Sequence, residues 1–267
     1  MTLLAIESAT DMVGVALISD DAGAVERVHL GGRAHAELLV PAIEEVCALS
    51  GCTVTDVDAI AVDIGPGLFT GLRVGVATAK ALAQALGVDL IGVGSLDILA
   101  AAAAAAADER PDRRRPGVVA SVVDARRGEV FAAVYRFDQV AGPVSGPVPD
   151  SGPIDPEAVR TERLEPVTPD ELEAWLVELG TEAGPVTVVG DGAVRYRSQL
   201  SVHAALDLDA AGELASPPPL ALARLALRRL ARGDAPATPL ALVPDYRRPA
   251  DARINWEQRA PRAADPV

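Results

Sequence analysis

The opening of the chain alternates short apolar runs with polar breaks. Residues 3–6 are apolar, residues 13–18 are apolar again after Ser8-Ala9-Thr10-Asp11, and residues 25–30 follow the turn at Asp20-Asp21-Ala22-Gly23. Short runs with tight breaks predict a three-stranded antiparallel start, with a polar hairpin loop between its first two strands. The spacing then changes. Leu38, Leu39, Ile43, Val46 and Leu49 recur at helical intervals and predict a helix over 36–49 that Gly51 ends. Residues 57–64 predict a buried strand, Gly65-Pro66-Gly67 a turn, and 70–86 a long helix of small residues closed by Gly87. Residues 90–93 form the next predicted strand, and Ser95 is placed to cap a helix through the alanine block 100–107.

A charged stretch holding Pro111, residues 108–115, is the best candidate boundary, dividing a first lobe (1–108) from a second, smaller one (116–245). Runs at 117–123 and 128–137, around Arg126-Arg127, predict a further hairpin. Residues 142–169 are dense in proline, glycine and acids and are expected as exposed loop. A helix over 169–179, a strand over 186–190 and a helix over 219–232 are expected to complete the second α/β unit. The arginine- and proline-rich tail, 246–267, is expected to be partly disordered. No short-period repeat is visible. Two α/β halves, the first opening on antiparallel strands, fit a duplicated ribonuclease-H-like architecture.

Composition narrows the function classes. With 38 acids against 24 bases the formal charge is −14, a field that repels phosphates and argues against independent binding of nucleic acid or an anionic membrane. Lys80 is the only lysine, and with the alanine excess this points to GC-rich coding rather than to mechanism. Two cysteines, Cys47 and Cys52, are too few for a disulfide scaffold and are expected as small buried or half-buried side chains. His29, His35 and His203 are too scattered to suggest a metal site. The N-terminus lacks a basic segment and carries Glu7, so no signal peptide is expected. The longest apolar run, 98–107, is about half the ~20 residues of a membrane span, which makes a cytoplasmic protein the expectation.

The most informative string is Gly65-Pro66-Gly67-Leu68-Phe69-Thr70-Gly71-Leu72-Arg73-Val74-Gly75. A glycine turn between a strand and a helix N-terminus can receive an anion. The common phosphate loops do not match: five residues separate Gly65 from Gly71 and Leu72-Arg73 follows, against Walker A, while Thr70 stands where a dinucleotide fingerprint needs its third glycine. Two readings stay open. Either the turn binds an anion, or Gly65 and Gly67 make a tight turn, Thr70 caps the helix, and Gly71 and Gly75 permit close packing.

This string, continued by Ala77-Thr78-Ala79-Lys80, resembles the signature of the bacterial TsaB (YeaZ) proteins. Further motifs are similar in the same order: Ile6-Glu7-Ser8-Ala9-Thr10 to the family's Asp-Thr-Ser-Thr, with Glu and Ala as departures, and His35-Ala36-Glu37-Leu38-Leu39-Val40-Pro41 to its His-Ser-Glu-x-Leu-x-Pro. Asp124-Ala125-Arg126-Arg127-Gly128-Glu129-Val130-Phe131, Gly190-Asp191-Gly192-Ala193 and Pro244-Asp245-Tyr246-Arg247 also have counterparts there. The resemblance implies a two-lobed actin-like α/β fold. It also implies a non-catalytic dimerisation subunit in the synthesis of N6-threonylcarbamoyladenosine at position 37 of tRNAs reading codons that start with A. The implied partners are the catalytic paralogue TsaD, in a heterodimer, and the ATPase TsaE; tRNA is reached only through the complex, and a homodimer can form in isolation.

In that paralogue a His-x-x-x-His pair holds a metal. The matching positions here are Ser95 and Leu99, so neither a metal nor another cofactor is expected. The implied partner face comprises His35, Glu37, Leu38, Leu39, Val74, Ala77, Thr78, Ala81 and Leu82, and an outward Val74 or Leu82 is the expected site for a disruptive charge. Ser8, Thr10, Gly65, Gly67, Gly190, Asp191 and Gly192 form vestigial nucleotide-like turns. His35 stays open between a partly exposed residue at a helix start and one that donates to a carbonyl or acid to orient that helix. The competing functions are a stand-alone glycoprotease-like hydrolase and an ATP-dependent enzyme of the same fold. The first lacks a clustered nucleophile and base, and in the second Glu7 would repel phosphates.

Overall fold

The computed structural model describes residues 1–30, 34–108, 117–137, 160–200, 206–207 and 211–247. Two five-stranded mixed sheets carry the fold. In the first, β1 (Thr2–Glu7), β2 (Met12–Ser19) and β3 (Gly23–Leu30) form an antiparallel meander, as predicted, and β4 (Ala59–Gly65) and β5 (Asp89–Gly94) extend it in parallel from β1. The second repeats the plan with β6 (Val118–Arg126), β7 (Glu129–Arg136) and β8 (Arg160–Val167) as the meander and β9 (Val186–Val189) and β10 (Leu206–Asp207) parallel to β6. Both sheets therefore share one strand order, third-second-first-fourth-fifth, which is the duplicated ribonuclease-H-like plan of an actin-like fold.

One face of the first sheet is covered by α1 (His35–Leu49) and α2 (Phe69–Leu86), whose Leu39, Val46, Val76 and Ala79 pack on Leu4, Ile6, Val15 and Val62. Gly87, left-handed at φ 71°, ends α2 where the pattern placed it. The opposite face is covered by α3 (Ser95–Asp108) and by the amphipathic α7 (Pro219–Arg232), whose Leu222 and Leu225 are buried among Leu3, Ala5 and Ile91. Helix α3 is shared. Ile98 and Ala101 face the first sheet, while Leu99, Ala100 and Ala103 face Val119, Ala133 and Val189 of the second. A helix buried all round must be apolar all round, and alanine lets two sheets approach it closely, which accounts for the alanine block. On the far side of the second sheet lie α4 (Pro169–Ala183), opened by the Thr168–Glu171 capping box, and the short α5 (Asp191–Arg195) and α6 (Arg197–Leu200).

Three expectations need correction. Residues 160–167 lie within the segment read as loop but form β8, an edge strand on β7; Pro166 and dense charge are tolerated there because an edge need not supply a full ladder or an apolar face. Helix α7 does not complete the second unit; it crosses back and packs on the first sheet. Neither Thr70 nor Ser95 caps a helix. Leu68 holds the N-cap of α2 without a side-chain bond, and the Ser95 hydroxyl donates instead to Asp63 Oδ1 at 2.7 Å. Residues 109–115, 142–159 and 248–267, with the boundary and most of the loop and tail read there, lie outside the described residues, as does His203.

Candidate partner-binding face and inter-lobe cleft

The cleft between the lobes is built from turns at the carboxyl ends of the central strands. After β1, Ser8 and Ala9 press into the start of α2. A Cβ on Gly67 would stand 2.2 Å from Ala9 O, one on Gly71 2.0 Å from Ser8 O, and one on Gly75 2.1 Å from Ser8 Oγ. No side chain fits at these contacts, so the glycine spacing is a seat for the Ser8–Ala9 turn, its backbone at Gly67 and Gly71 and the Ser8 hydroxyl at Gly75. Ser8 Oγ donates to Gly71 O at 2.9 Å, and Leu68 N–H donates to Ala9 O at 2.6 Å. The close-packing reading of the glycine turn is thus realised, against the chain's own loop. His35 is buried, and its Nε2 lies 2.8 Å from Thr10 O. A carbonyl can only accept, so Nε2 carries hydrogen and ties the start of α1 to the loop. Thr10 Oγ1 reaches Ser216 Oγ at 3.0 Å. From the second lobe, Arg126 Nη2 reaches both carboxylate oxygens of Asp11 at 3.1 and 3.2 Å. Arg126 and Arg127 hold φ values of 63° and 58°, uncommon for residues with a side chain.

Each lobe also carries a pair of acids where its two central parallel strands end. In the first, register pairs Ile6 with Val62, which sets the next residues, Glu7 and Asp63, side by side with full burial. Glu7 Oε1 accepts from Ala9 N–H at 2.8 Å; Asp63 Oδ1 accepts from Gly65 N–H and Ser95 Oγ, each at 2.7 Å. Burial, then the charge of Asp63 and a hydrogen bond to it, push the Glu7 carboxyl well above its usual range. Burial raises Asp63 too, against hydrogen bonds from Glu7, Ser95 and Gly65 that lower it. In the second lobe Asp191 Oδ1 accepts from Asp124 N–H at 2.9 Å, and Asp124 Oδ2 lies 3.4 Å from Arg126 and 3.6 Å from Arg195. Burial raises Asp191 to about 6. Gly190, at φ 107°, lets the turn lie against Val122 O, which a Cβ would approach to 2.1 Å.

The residues expected at the partner face separate into three groups. His35 and Leu39 are interior and offer no surface in this chain. Glu37, Ala77 and Ala81 are exposed, while Leu38, Val74, Thr78 and Leu82 are half-buried. Val74 and Leu82 pack on the core, so neither is the outward position for a disruptive charge. Two apolar residues of α1 outside that expected set, Val40 at 53% and Leu49 at 52% exposure, lie open on opposite sides of the helix, although Leu49 has the spacing of the apolar stripe. Val40 could have been found: in Leu38-Leu39-Val40 a helix can turn only one residue fully inward.

Chemistry-bearing groups are sparse around these turns. Cys47 is buried and Cys52 half-buried, both free thiols as expected; burial first, then Cys52, pushes the Cys47 thiol up to about 11, opposite to activation of a nucleophile. Among the described residues, no three His, Cys, Asp or Glu side chains gather in a way that could hold a metal ion, and no helix is long and apolar enough to cross a membrane.

Several known proteins are similar to this chain. The family model for the tRNA N6-adenosine threonylcarbamoyltransferase TsaD matches residues 29–147. The tRNA threonylcarbamoyladenosine biosynthesis protein TsaB of Bacillus subtilis is 29% identical over 262 residues, covering 96% of this chain and 98% of that protein. The Escherichia coli protein of the same name is 35% identical over 142 residues, 52% of this chain and 57% of that one. The solved structure of YeaZ from Pseudomonas aeruginosa superposes with a TM-score of 0.70 at 25% identity, covering 92% of this chain and 99% of that one.

Proposed function

We propose that this chain, a member of the TsaB (YeaZ) family with a role in tRNA threonylcarbamoyladenosine biosynthesis, acts there as a non-catalytic subunit that docks through α1 and α2 on a TsaD-type transferase. The observation that supports this reading is the outer surface of the two helices, where Val40 of α1 is about half exposed and Ala77 and Ala81, one turn apart on α2, lie on the surface. Small exposed residues let a partner helix approach closely, and apolar side chains beside them gain from being covered.

The transferase supplies the chemistry, a TsaE-type ATPase joins the assembly, and the complex works in the cytoplasm. With a charge of −14 the chain leaves tRNA to its partners. Isolated, it pairs with a second copy through the same face. The vestigial turns Ser8, Thr10, Gly65, Gly67, Gly190, Asp191 and Gly192 serve as packing: the first four lie where loop meets helix, Asp191 accepts from Asp124 N–H, and Gly190 and Gly192 lie against Val122. A hydrolytic function is not favoured, since His35 is committed to Thr10 O and the Cys47 thiol is held neutral.

Replacing both Ala77 and Ala81 with glutamate tests the face. Surface changes of this kind alter stability by about 0.5 kcal/mol or less each. We expect unchanged thermal unfolding but no co-elution with the transferase homologue from the same genome; co-elution at wild-type strength would refute the assignment.

A further inference from the structure

We propose that Glu7 and Asp63 together hold one proton, and that the resulting carboxyl–carboxylate hydrogen bond is the clasp joining the turn after β1 to the glycine turn after β4. Each acid spends one oxygen on its own turn: Glu7 Oε1 on Ala9 N–H, Asp63 Oδ1 on Gly65 N–H and on Ser95. The remaining oxygens, Glu7 Oε2 and Asp63 Oδ2, are fully buried, and neither meets a donor as long as both acids are ionised. Two buried like charges side by side repel each other and lose their hydration, so something must supply positive charge or hydrogen between them.

Among the described residues no cation is placed for this. From α3 come the Ser95 hydroxyl, already donating to Asp63, and Asp97, a third acid, which accepts from Tyr135 OH of β7 at 2.8 Å. Arg229 of α7 stands 4.0 Å from Asp97 and donates to Gly92 O. His35 of α1 is bound to Thr10 O, and Arg126 is drawn to Asp11 and Asp124. A divalent ion needs about six oxygens, with waters supplying those that two carboxylates do not, and these two oxygens are fully buried; among the described residues no three acids, His or Cys gather to hold one. A single proton fits: carried on Glu7, it is donated to Asp63, which stays ionised and keeps its bonds to Gly65 and Ser95. Burial and the neighbouring charge raise Glu7 in the direction this requires. The family's aspartate at position 7 would be one methylene shorter, so the clasp belongs to the glutamate form.

The sign of the pH dependence follows. An acid whose folded pKa lies above its unfolded value contributes stability that is complete at low pH and is lost as pH rises toward the folded value. Infrared spectroscopy of the wild-type protein at pH 8, above the value of about 6 for Asp191, should show a protonated-carboxyl C=O stretch that vanishes in Glu7→Gln. Glutamine keeps a donor facing Asp63 at every pH, so Glu7→Gln should unfold about 3 °C or more above the wild type at pH 8 and lose that advantage near pH 5. Asp63→Asn, with the donor on the other side, should behave alike. Absence of the band in the wild type would overturn the proposal whether or not either variant folds. So would a rise in wild-type unfolding temperature with millimolar Mg²⁺ that Glu7→Gln lacks, because a cation would then fill the site.

Discussion

The two lobes place acids at equivalent strand ends and neutralise them differently. In the first lobe Glu7 and Asp63 are sealed from water, and each holds a backbone turn with one oxygen. In the second, Asp124 and Asp191 face Arg126 and Arg195, whose side chains are 43% and 57% exposed. A sealed pair has to be settled by internal hydrogen bonding, whereas a pair at the cleft mouth can use flexible, solvated cations worth little each. The same topology therefore yields a rigid junction in one lobe and an adjustable one in the other. The rigid junction lies beneath α2, which carries the proposed docking face.

The strongest way to break this contrast is to unseat the rigid junction. Gly71→Ala puts a methyl 2.0 Å from a backbone oxygen that cannot swing aside, and should cost about 3 kcal/mol or more in urea unfolding. Next comes Asp63→Ala, which leaves Gly65 N–H and the Ser95 hydroxyl without their acceptor in a dry site. We expect a loss of about 2–4 kcal/mol. The equivalent change in the second lobe, Asp124→Ala, should cost less, about 1–2 kcal/mol, because the released arginine side chains find water and the Arg126 N–H alone loses its acceptor. Equal losses would erase the distinction between the lobes.

The pH profile sharpens it. Asp191, raised to about 6, contributes stability that is complete below pH 4 and is lost as pH climbs through 6; Asp191→Asn should flatten the unfolding temperature across that window and leave the slope above pH 7 to Glu7. The smallest effect is expected at Arg126. Its pairing with Asp11 is exposed, so Arg126→Ala should change stability by less than about 1 kcal/mol, and Arg126→Gly should recover what is lost by relieving the left-handed backbone.

The sequence made the order of elements legible where local pattern suffices. The helical spacing of Leu39, Ile43 and Val46, the breaks at Gly65 and Gly87, and the Arg126-Arg127 turn each lie where read. Other features depended on pairings that no local window contains. The apolar stripe of α7 shows that one side is buried but not against which sheet, so its crossing to Leu3 and Ala5 was invisible. Edge strand β8 lacks the alternation that marks a strand. Ser95 has a capping residue's chemistry, yet its hydroxyl meets an acid brought near by sheet register. Glu7 ends one apolar run and Asp63 interrupts another, which was the visible signal; that they meet follows only from parallel pairing of β1 and β4. His35 illustrates the limit from the other side, since its motif marked it as special while its task, holding Thr10 O, needed the fold.

Reconstitution tests the central claim most directly: modified adenosine is quantified in a substrate tRNA incubated with the TsaD-type homologue alone, with this chain alone, and with both, under the supply of the threonylcarbamoyl donor and the ATPase. The account predicts no product from this chain alone, strong stimulation of the homologue when the chain is added, and loss of that stimulation with the Ala77→Glu, Ala81→Glu protein. Product formed by this chain without the homologue, or full activity of the homologue in its absence, would contradict it.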